Sequence, residues 1–243
     1  MGHLVELETT GGTIDVYRAD PDGEPKGGVV VISEVWGLVA HIKDVADRFA
    51  AAGYLAVAPD ILSNAGVSPE VGQELQSLIL GADDWARATA QPRMREALSV
   101  AHAPEYAEWA IDVLTQIVDY LAAQGGVGER ISAVGFCFGG SYAYAVAAND
   151  TRVRAVIPFY GSAPPYATLG DIQGRVLPFY GEKDERITGT LPELRAAMAE
   201  AGVDFTPVVY PGVGHAFFND TNPVTFDADT ADDAWRRTLD FLA

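Results

Sequence analysis

The stretch Val134-Gly-Phe-Cys-Phe-Gly-Gly140 lies near the middle of this 243-residue chain and contains its single cysteine, Cys137. An apolar run at 131–134 precedes it and small residues at 141–148 follow, which predicts a strand, a sharp turn and a helix. The flanking glycines let two backbones pass closely around a strained central residue. This spacing is typical of a nucleophile elbow, here with a thiol. The alternative is a buried structural cysteine, since free cysteine is among the most buried residue types.

Length and composition fit one α/β domain. With 243 residues, of which 49% are hydrophobic and 21% charged, the chain can bury a large core. We find no internal repeat, low-complexity tract or internal domain boundary, and therefore expect a single domain over residues 1–243. A single cysteine cannot form an intrachain disulfide. The first residues lack the basic and apolar segments of a signal peptide, and no apolar run approaches the roughly 18 residues of a membrane span, so we expect a cytoplasmic protein with no membrane partner.

The formal net charge of −18 argues against a nucleic-acid partner, because phosphate binding needs clustered lysine and arginine. We therefore expect a small-molecule partner, and a monomer or small homo-oligomer. No second histidine or cysteine stands at metal-ligand spacing, and no dinucleotide-binding glycine pattern follows the first buried strand. The sequence thus predicts no metal and no cofactor.

Apolar strand patterns alternate with helical patterns along most of the chain, which predicts a mostly parallel sheet with helices on both faces. Two alternating segments joined at Gly11-Gly12 predict an N-terminal β-hairpin. Residues 63–102 contain short helical patterns and no strand, and predict a helical excursion over the top of the sheet. The predicted strands are 4–9, 13–17, 27–32, 54–58, 131–135, 153–158, 175–180 and 205–210, and the predicted helices are 41–52, 69–80, 83–90, 92–100, 105–123, 139–148, 190–201 and 229–242.

Two polar residues follow predicted strands, at the sheet edge where open parallel sheets bind ligands. Asp184 follows strand 175–180, and His215 follows strand 205–210 after a glycine-rich loop. The order nucleophile, acid, histidine is that of the α/β-hydrolases. We expect Cys137 to attack an acyl carbon and form a thioester, His215 to act as base and Asp184 to orient the imidazole. The alternatives are a solvated acidic turn for Asp184 and a satisfied surface or core histidine for His215.

The other three histidines follow no predicted strand and are expected to lie outside the site: His3, His41 and His102.

An oxyanion hole needs two preorganised backbone N–H groups. One is expected from Phe138, directly after the cysteine, and the other from the loop 33–38, with Val35 as the donor. Glu34 is unusual in that loop, because an acid beside an oxyanion hole repels the developing negative charge. The alternative is a loop acid that points into solvent.

The sequence resembles the dienelactone hydrolases, a cysteine branch of the α/β-hydrolases, over nearly its whole length. The resemblance implies an α/β-hydrolase fold and the hydrolysis of a small lactone or ester by a Cys-His-Asp triad. It also implies that Glu34 interacts with the resting thiol until substrate releases it, and a nearby carboxylate does raise the pKa of a thiol. Trp36 and Phe217, in matching loops, are expected to contact the substrate. The stretches that carry the resemblance are 33–37, 53–60, 135–140, 180–184 and 214–218.

The sequence departs from that family at the residues that bind a substrate carboxylate. The best-known members use arginines, one of them a few residues after the catalytic histidine, whereas this chain has Phe218-Asn219-Asp220 there. Candidates for a second arginine are Arg87, Arg93 and Arg95 in the excursion. Two further functions stay open: a broad carboxylesterase or thioesterase on the same machinery, and a non-catalytic redox-sensing or ligand-binding protein.

Overall fold

The computed structural model describes residues 1–81 and 83–243. Within that part of the chain, nine strands form one sheet. The strands are β1 (His3–Thr9), β2 (Gly12–Ala19), β3 (Gly28–Ile32), β4 (Leu55–Pro59), β5 (Ile131–Phe136), β6 (Val153–Phe159), β7 (Arg175–Val176), β8 (Phe179–Gly181) and β9 (Val208–Tyr210). The order across the sheet is β1-β2-β4-β3-β5-β6-β8-β9, with β7 paired to β6. The pairs β1–β2 and β2–β4 are antiparallel and the other pairs are parallel, as predicted, so the hairpin β1–β2 borders a parallel sheet.

Helices cover both faces of this sheet. They are α1 (Ala40–Ala51), α2 (Pro69–Leu80), α3 (Asp84–Ala101), α4 (Pro104–Ala122), α5 (Phe138–Asn149), α6 (Glu185–Thr188), α7 (Leu191–Glu200) and α8 (Ala228–Leu242). Single 3₁₀ turns occupy Ile61–Ala65 and Tyr166–Asp171. Among the helices of residues 1–81 and 83–243, none is long and apolar enough to cross a membrane.

Two cores result from the alternation of side chains along the central strands. In β3, Val30 and Ile32 belong to the core that α4, α5 and α7 cover, whereas Val29 and Val31 belong to the core that α1 and α8 cover. All four side chains are fully buried, and each such burial contributes about 1.5–3 kcal/mol relative to exposure. A strand buried on both faces must be apolar at every position, which is why these strands are continuous apolar runs.

The prediction of two separate helices at 83–90 and 92–100 is wrong. The structure has one continuous helix, α3, with Pro92 inside it. A proline removes one helical N–H donor and often ends or kinks a helix. Here Ala90 and Met94, on either side of Pro92, are both buried in a small cluster with Leu75 of α2. This shared apolar face packs against α2 and stabilises the continuous helix.

The predicted strand at 175–180 is interrupted, since β7 and β8 are separated by two residues that include Pro178. Proline has no N–H to donate to the ladder, so it favours a break in a strand. The predicted strand at 205–210 shortens to β9. The four-residue helix α6 was not predicted, and it carries the chain away from the carboxyl end of β8.

Candidate active site

The candidate site is built on a strained turn between β5 and α5. Cys137 has φ 54° and ψ −111°, a conformation that residues with side chains rarely adopt. A Cβ on Gly135 would lie 1.9 Å from the carbonyl oxygen of Gly139, and a Cβ on Gly139 would lie 2.2 Å from that of Ile32. Only glycine fits at these two positions. The close backbone packing therefore holds the cysteine at the carboxyl end of β5.

Backbone strain is concentrated around this turn. In the described residues, three non-glycine positions have positive φ: Cys137 at 54°, Tyr160 at 42° and Ala216 at 59°. Tyr160 follows β6, and Ala216 follows directly after His215. Strained positions of this kind tend to occur at functional sites, where the surrounding structure holds them in place.

The structure brings Asp184 and His215 together. Asp184 follows β8 and His215 follows β9, and Nδ1 of the imidazole donates to Oδ2 of the carboxylate at 2.5 Å. The ring of Tyr160 packs against the imidazole, with 4.9 Å between ring centroids. Because Nδ1 is held by the carboxylate, Nε2 is the nitrogen left to exchange a proton with another group.

The thiol of Cys137 is held in its neutral form. Burial, and after it the charge of Glu34, raise the pKa of Cys137 to about 12, although the N–H of Phe138 and the guanidinium of Arg186 act in the lowering direction. The charge of Asp184 acts in the raising direction. Within the described residues Sγ makes no hydrogen bond to His215 or Glu34. Nucleophile and base are commonly further apart in unliganded sites than in the reacting complex.

Glu34 is buried, with 2% of its surface exposed, so the structure excludes the alternative of a loop acid in solvent. The hydroxyl of Tyr160 donates to Oε1 at 3.0 Å, and the amide of Asn219 donates to Oε2 at 2.5 Å. Burial and the charge of Glu34 raise the pKa of Tyr160 well above its usual value, so this phenol stays a neutral donor. The carboxylate acts on Cys137 through its charge, while its own oxygens are bound by other residues.

A cavity of about 470 Å³ opens above Cys137. We call its side formed by Val35, Cys137, Phe138 and Tyr160 the elbow wall, and its side formed by Ala101, His102 and Ala107 the helical wall. A polar cluster of Ser141, Ser162 and Arg186 and the side chain of Tyr142 complete the lining. Within the described residues, the backbone N–H groups of Val35 and Phe138 have no carbonyl partner. The N–H of Phe138 is turned toward the thiol of Cys137 and acts on its pKa. No group of three or more His, Cys, Asp or Glu in residues 1–81 and 83–243 is arranged to hold a metal ion.

Sequence reasoning missed most of the residues that line this cavity, among them His102, Tyr160 and Arg186. His102 was expected outside the site, but it ends α3 and lies on the helical wall, with Nδ1 within 2.6 Å of the carbonyl oxygen of Leu98. Arg186 lies two residues after Asp184, and its guanidinium reaches Oγ of Ser162 at 3.5 Å. Tyr160 and Arg186 both follow the carboxyl ends of strands, which is a signal that could have identified them.

Two residues expected to contact substrate lie elsewhere. Phe217 is fully buried and packs with Phe159 and Tyr210 in the core, so that expectation is corrected. Trp36 is half-buried and packs in the cluster with Leu75 between α2 and α3, outside the lining of the cavity.

The arginines of the excursion and the remaining histidine are also placed elsewhere. Arg87 binds Asp84 and Arg93 binds Glu74, both on the helix surface and outside the cavity. His41 is buried beside Phe136 and Phe218, and its Nδ1 lies 3.1 Å from the carboxylate of Asp220. Arg186 is the arginine that the structure places on the cavity.

Comparisons with known proteins agree with this architecture. The dienelactone hydrolase family matches residues 14–243. A protein of Saccharolobus solfataricus, provisionally named a carboxymethylenebutenolidase, is 30% identical over 97% of this chain and 95% of its own length. A crystal structure from Klebsiella pneumoniae, provisionally named a dienelactone hydrolase, superposes with a TM-score of 0.83 at 26% identity and covers 100% of this chain and 98% of its own. An esterase of Pyrobaculum calidifontis shares the fold, with a TM-score of 0.66 at 15% identity over 100% of this chain and 84% of its own. The predicted α/β-hydrolase fold is confirmed, and the chain belongs to the dienelactone hydrolase family of ester hydrolases.

Proposed function

We propose that this protein hydrolyses a small lactone or activated ester, with Cys137 as nucleophile, His215 as base and Asp184 as the residue that orients His215. The observation that carries the proposal is the 2.5 Å bond between Asp184 and His215, whose ring packs on Tyr160, a residue that lines the same cavity as the strained Cys137. Nucleophile, base and orienting acid in this arrangement favour acyl transfer.

In the first half of the reaction, Nε2 of His215 accepts the thiol proton and Sγ of Cys137 attacks the carbonyl carbon. The carbonyl electrons move onto oxygen, and the N–H groups of Val35 and Phe138 stabilise the resulting oxyanion. When the carbonyl re-forms, the ester C–O bond breaks and the leaving oxygen takes the proton from His215. The product is a thioester on Cys137, and in a lactone the new hydroxyl stays on the same molecule.

In the second half, His215 removes a proton from a water molecule, which attacks the thioester carbon. The tetrahedral intermediate collapses with release of Sγ, which regains its proton from His215. The carboxylic acid then leaves the cavity. Asp184 stabilises the imidazolium in both halves and keeps Nδ1 protonated.

Glu34 is proposed to hold the thiol in reserve. With a pKa of about 12, Cys137 carries little thiolate at neutral pH, and the charge of Glu34 contributes to that value. A neutral thiol is protected against stray oxidation, because the thiolate is the form that reacts. Substrate binding beside Glu34 is proposed to release this restraint and help form the thiolate.

The position of Arg186 on the cavity favours a substrate that carries an anionic group. The polar cluster places its guanidinium on the cavity, and Ser162 is its hydrogen-bond partner there. In a chain of net charge −18, an anionic substrate needs such a local cation. The apolar side chains Ala101, Ala107 and Tyr142 favour the second candidate, a broad carboxylesterase for uncharged esters.

Two assays test these proposals. Hydrolysis of p-nitrophenyl acetate should be lost in both Cys137→Ala and His215→Ala, and activity that survives both changes would place the chemistry elsewhere. A panel of cis- and trans-dienelactone, simple lactones and p-nitrophenyl esters, compared as kcat/KM, separates the two substrate classes. Higher kcat/KM for the anionic lactones supports the first candidate, and equal or higher values for neutral esters support the carboxylesterase.

A further inference from the structure

A row of hydrogen bonds connects helix α2 with the carboxylate of Glu34. Nε2 of Gln76 donates to Oγ1 of Thr221 at 3.0 Å, and that hydroxyl donates to Oδ1 of Asn219 at 2.6 Å. Nδ2 of Asn219 then donates to Oε2 of Glu34 at 2.5 Å. We call these four residues the Gln76–Glu34 relay. Gln76, Asn219 and Glu34 are almost fully buried, with 4%, 1% and 2% of their surfaces exposed.

The relay fixes the orientation of the Asn219 amide. Oδ1 accepts two hydrogen bonds from Thr221, one from the hydroxyl and one from the backbone N–H at 3.0 Å. The NH₂ group must therefore face Glu34, because the reverse orientation would place an oxygen against the carboxylate and the NH₂ against two donors. Thr221 thus determines that Asn219 is a donor to Glu34.

Helix α2 also contacts the loop of Glu34 directly. A Cβ on Gly72 of α2 would lie 1.8 Å from the carbonyl oxygen of Trp36, so the helix and the loop are packed backbone to backbone. Gln76 lies one helical turn after Gly72, on the same face. The helical excursion therefore contacts the loop of Glu34 by direct packing and reaches the Glu34 carboxylate through the relay.

We propose that Asn219, Thr221 and Gln76 are positioning residues that hold the Glu34 carboxylate beside Cys137 and so couple the packing of α2 to the reactivity of the thiol. The consequence for turnover rests on the proposed function, but the effect on the thiol does not. The charged groups around Sγ other than Glu34 are Asp184 and Arg186, and the neutral phenol of Tyr160 faces both Sγ and Glu34. None of these belongs to the relay, so substitutions in the relay leave them in place.

The direction of the effect follows from the burial of Glu34. Without the Asn219 donor, Oε2 is a buried carboxylate oxygen with no partner, which is strongly unfavourable. The carboxylate relieves this state by shifting toward other donors, so that its negative charge acts less strongly on Sγ. The pKa of Cys137 then falls, and the thiolate fraction at a given pH rises. Substitutions further along the relay loosen the amide without removing it, so their effects should be smaller.

The experiment measures the rate of alkylation of Cys137 by iodoacetamide between pH 7 and 10, where the rate follows the thiolate fraction. Because Cys137 is the only cysteine, every alkylated thiol is the one of interest. We expect Asn219→Leu to raise the rate about 3- to 10-fold, Thr221→Val less and Gln76→Leu least. Thr221→Ser should match wild type. Gln73→Leu, on the exposed side of the same helix, is the matched control and should also match wild type.

A second background separates positioning from a merely structural role. In Glu34→Gln the charge is already absent, so Thr221→Val and Gln76→Leu should have no further effect on alkylation there. Unchanged rates in all three relay variants, or equal increments in the Glu34→Gln background, would overturn the proposal. If Asn219→Leu does not fold, judged by circular dichroism, the other two variants decide. Alkylation requires no turnover, so a failure of the hydrolase proposal would show in the p-nitrophenyl acetate assay and not here.

Discussion

The elbow wall and the helical wall of the cavity are built by different kinds of contact. The elbow wall is held by backbone packing, with Gly139 donating to the carbonyl of Ser33 and Cys137 donating to that of Phe159. The helical wall is held by side chains, with the ring of His102 at 6.3 Å from that of Phe138. Backbone contacts fix positions closely, whereas side-chain contacts can adapt. We infer that the nucleophile and the oxyanion donors belong to the elbow wall, and substrate selection to the helical wall and the polar cluster.

The largest effect is expected where the chemistry is oriented. Asp184→Asn keeps the shape of the side chain but no longer stabilises the imidazolium or the required tautomer of His215. We expect kcat to fall about 10³- to 10⁴-fold with p-nitrophenyl acetate, measured in steady state. The control is Glu185→Gln, which changes the exposed neighbouring acid and should leave kcat unchanged. A decrease smaller than tenfold would contradict the role of Asp184.

The backbone packing behind the elbow wall should tolerate no added side-chain atoms. In Gly139→Ala the new Cβ lies 2.2 Å from the carbonyl oxygen of Ile32 and 2.5 Å from that of Ser33. The two backbones must separate, so we expect the free energy of unfolding to fall by about 3–5 kcal/mol, measured by urea titration. The control is Gly170→Ala, where the added Cβ meets no atom within 4 Å. Equal stability of the two variants would show that the elbow is not rigid.

Arg186 of the polar cluster should favour anionic substrates over neutral ones. Arg186→Gln removes the cation on the cavity, and we expect kcat/KM for an anionic lactone to fall about 10- to 100-fold. The value for p-nitrophenyl acetate should change little. Arg93→Gln, whose partner is Glu74 on the helix surface, is the matched control. An equal loss for charged and neutral substrates would indicate a structural role for Arg186 instead.

The pH dependence of the thiol should depend on Glu34. Burial and the charge of Glu34 raise the pKa of Cys137 to about 12, so Glu34→Gln should lower that pKa and increase the thiolate fraction at a fixed pH. We expect alkylation at pH 8 to be about 3- to 10-fold faster than in wild type. Glu129→Gln, an exposed acid, should behave as wild type. An unchanged pKa of the thiol would sink this role for Glu34.

The smallest effect is expected on the helical wall. His102→Ala shortens a side chain that contacts the cavity without taking part in the proposed proton transfers. We expect KM to rise two- to fivefold, about 0.5–1 kcal/mol, with kcat unchanged. His3→Ala, at the exposed terminus, is the control. A loss of kcat as large as that of Asp184→Asn would mean that His102 belongs to the chemistry.

The sequence predicted the fold well because apolar runs and glycines leave a strong local pattern. The rule that open parallel sheets bind ligands at the carboxyl ends of their strands placed the candidate residues at that edge of the sheet. Their roles in catalysis stay predictions. The same rule applied to β6 and β8 would have identified Tyr160 and Arg186. His102 could not be identified in this way, because it reaches the cavity only through the packing of α3 and α4. The prediction that Phe217 contacts the substrate was wrong for a related reason. The direction of a loop side chain depends on tertiary packing, which a short sequence motif does not reveal.

The central claim is that Cys137 carries the acyl group during turnover. The direct test is to mix the protein with p-nitrophenyl acetate, quench with acid within the first turnovers, and identify the modified peptide by mass spectrometry. We predict one acetyl group on the peptide that contains Cys137, and none in Cys137→Ala treated in the same way. An unmodified Cys137 during active turnover, or an acetyl group on another residue, would contradict the proposed mechanism.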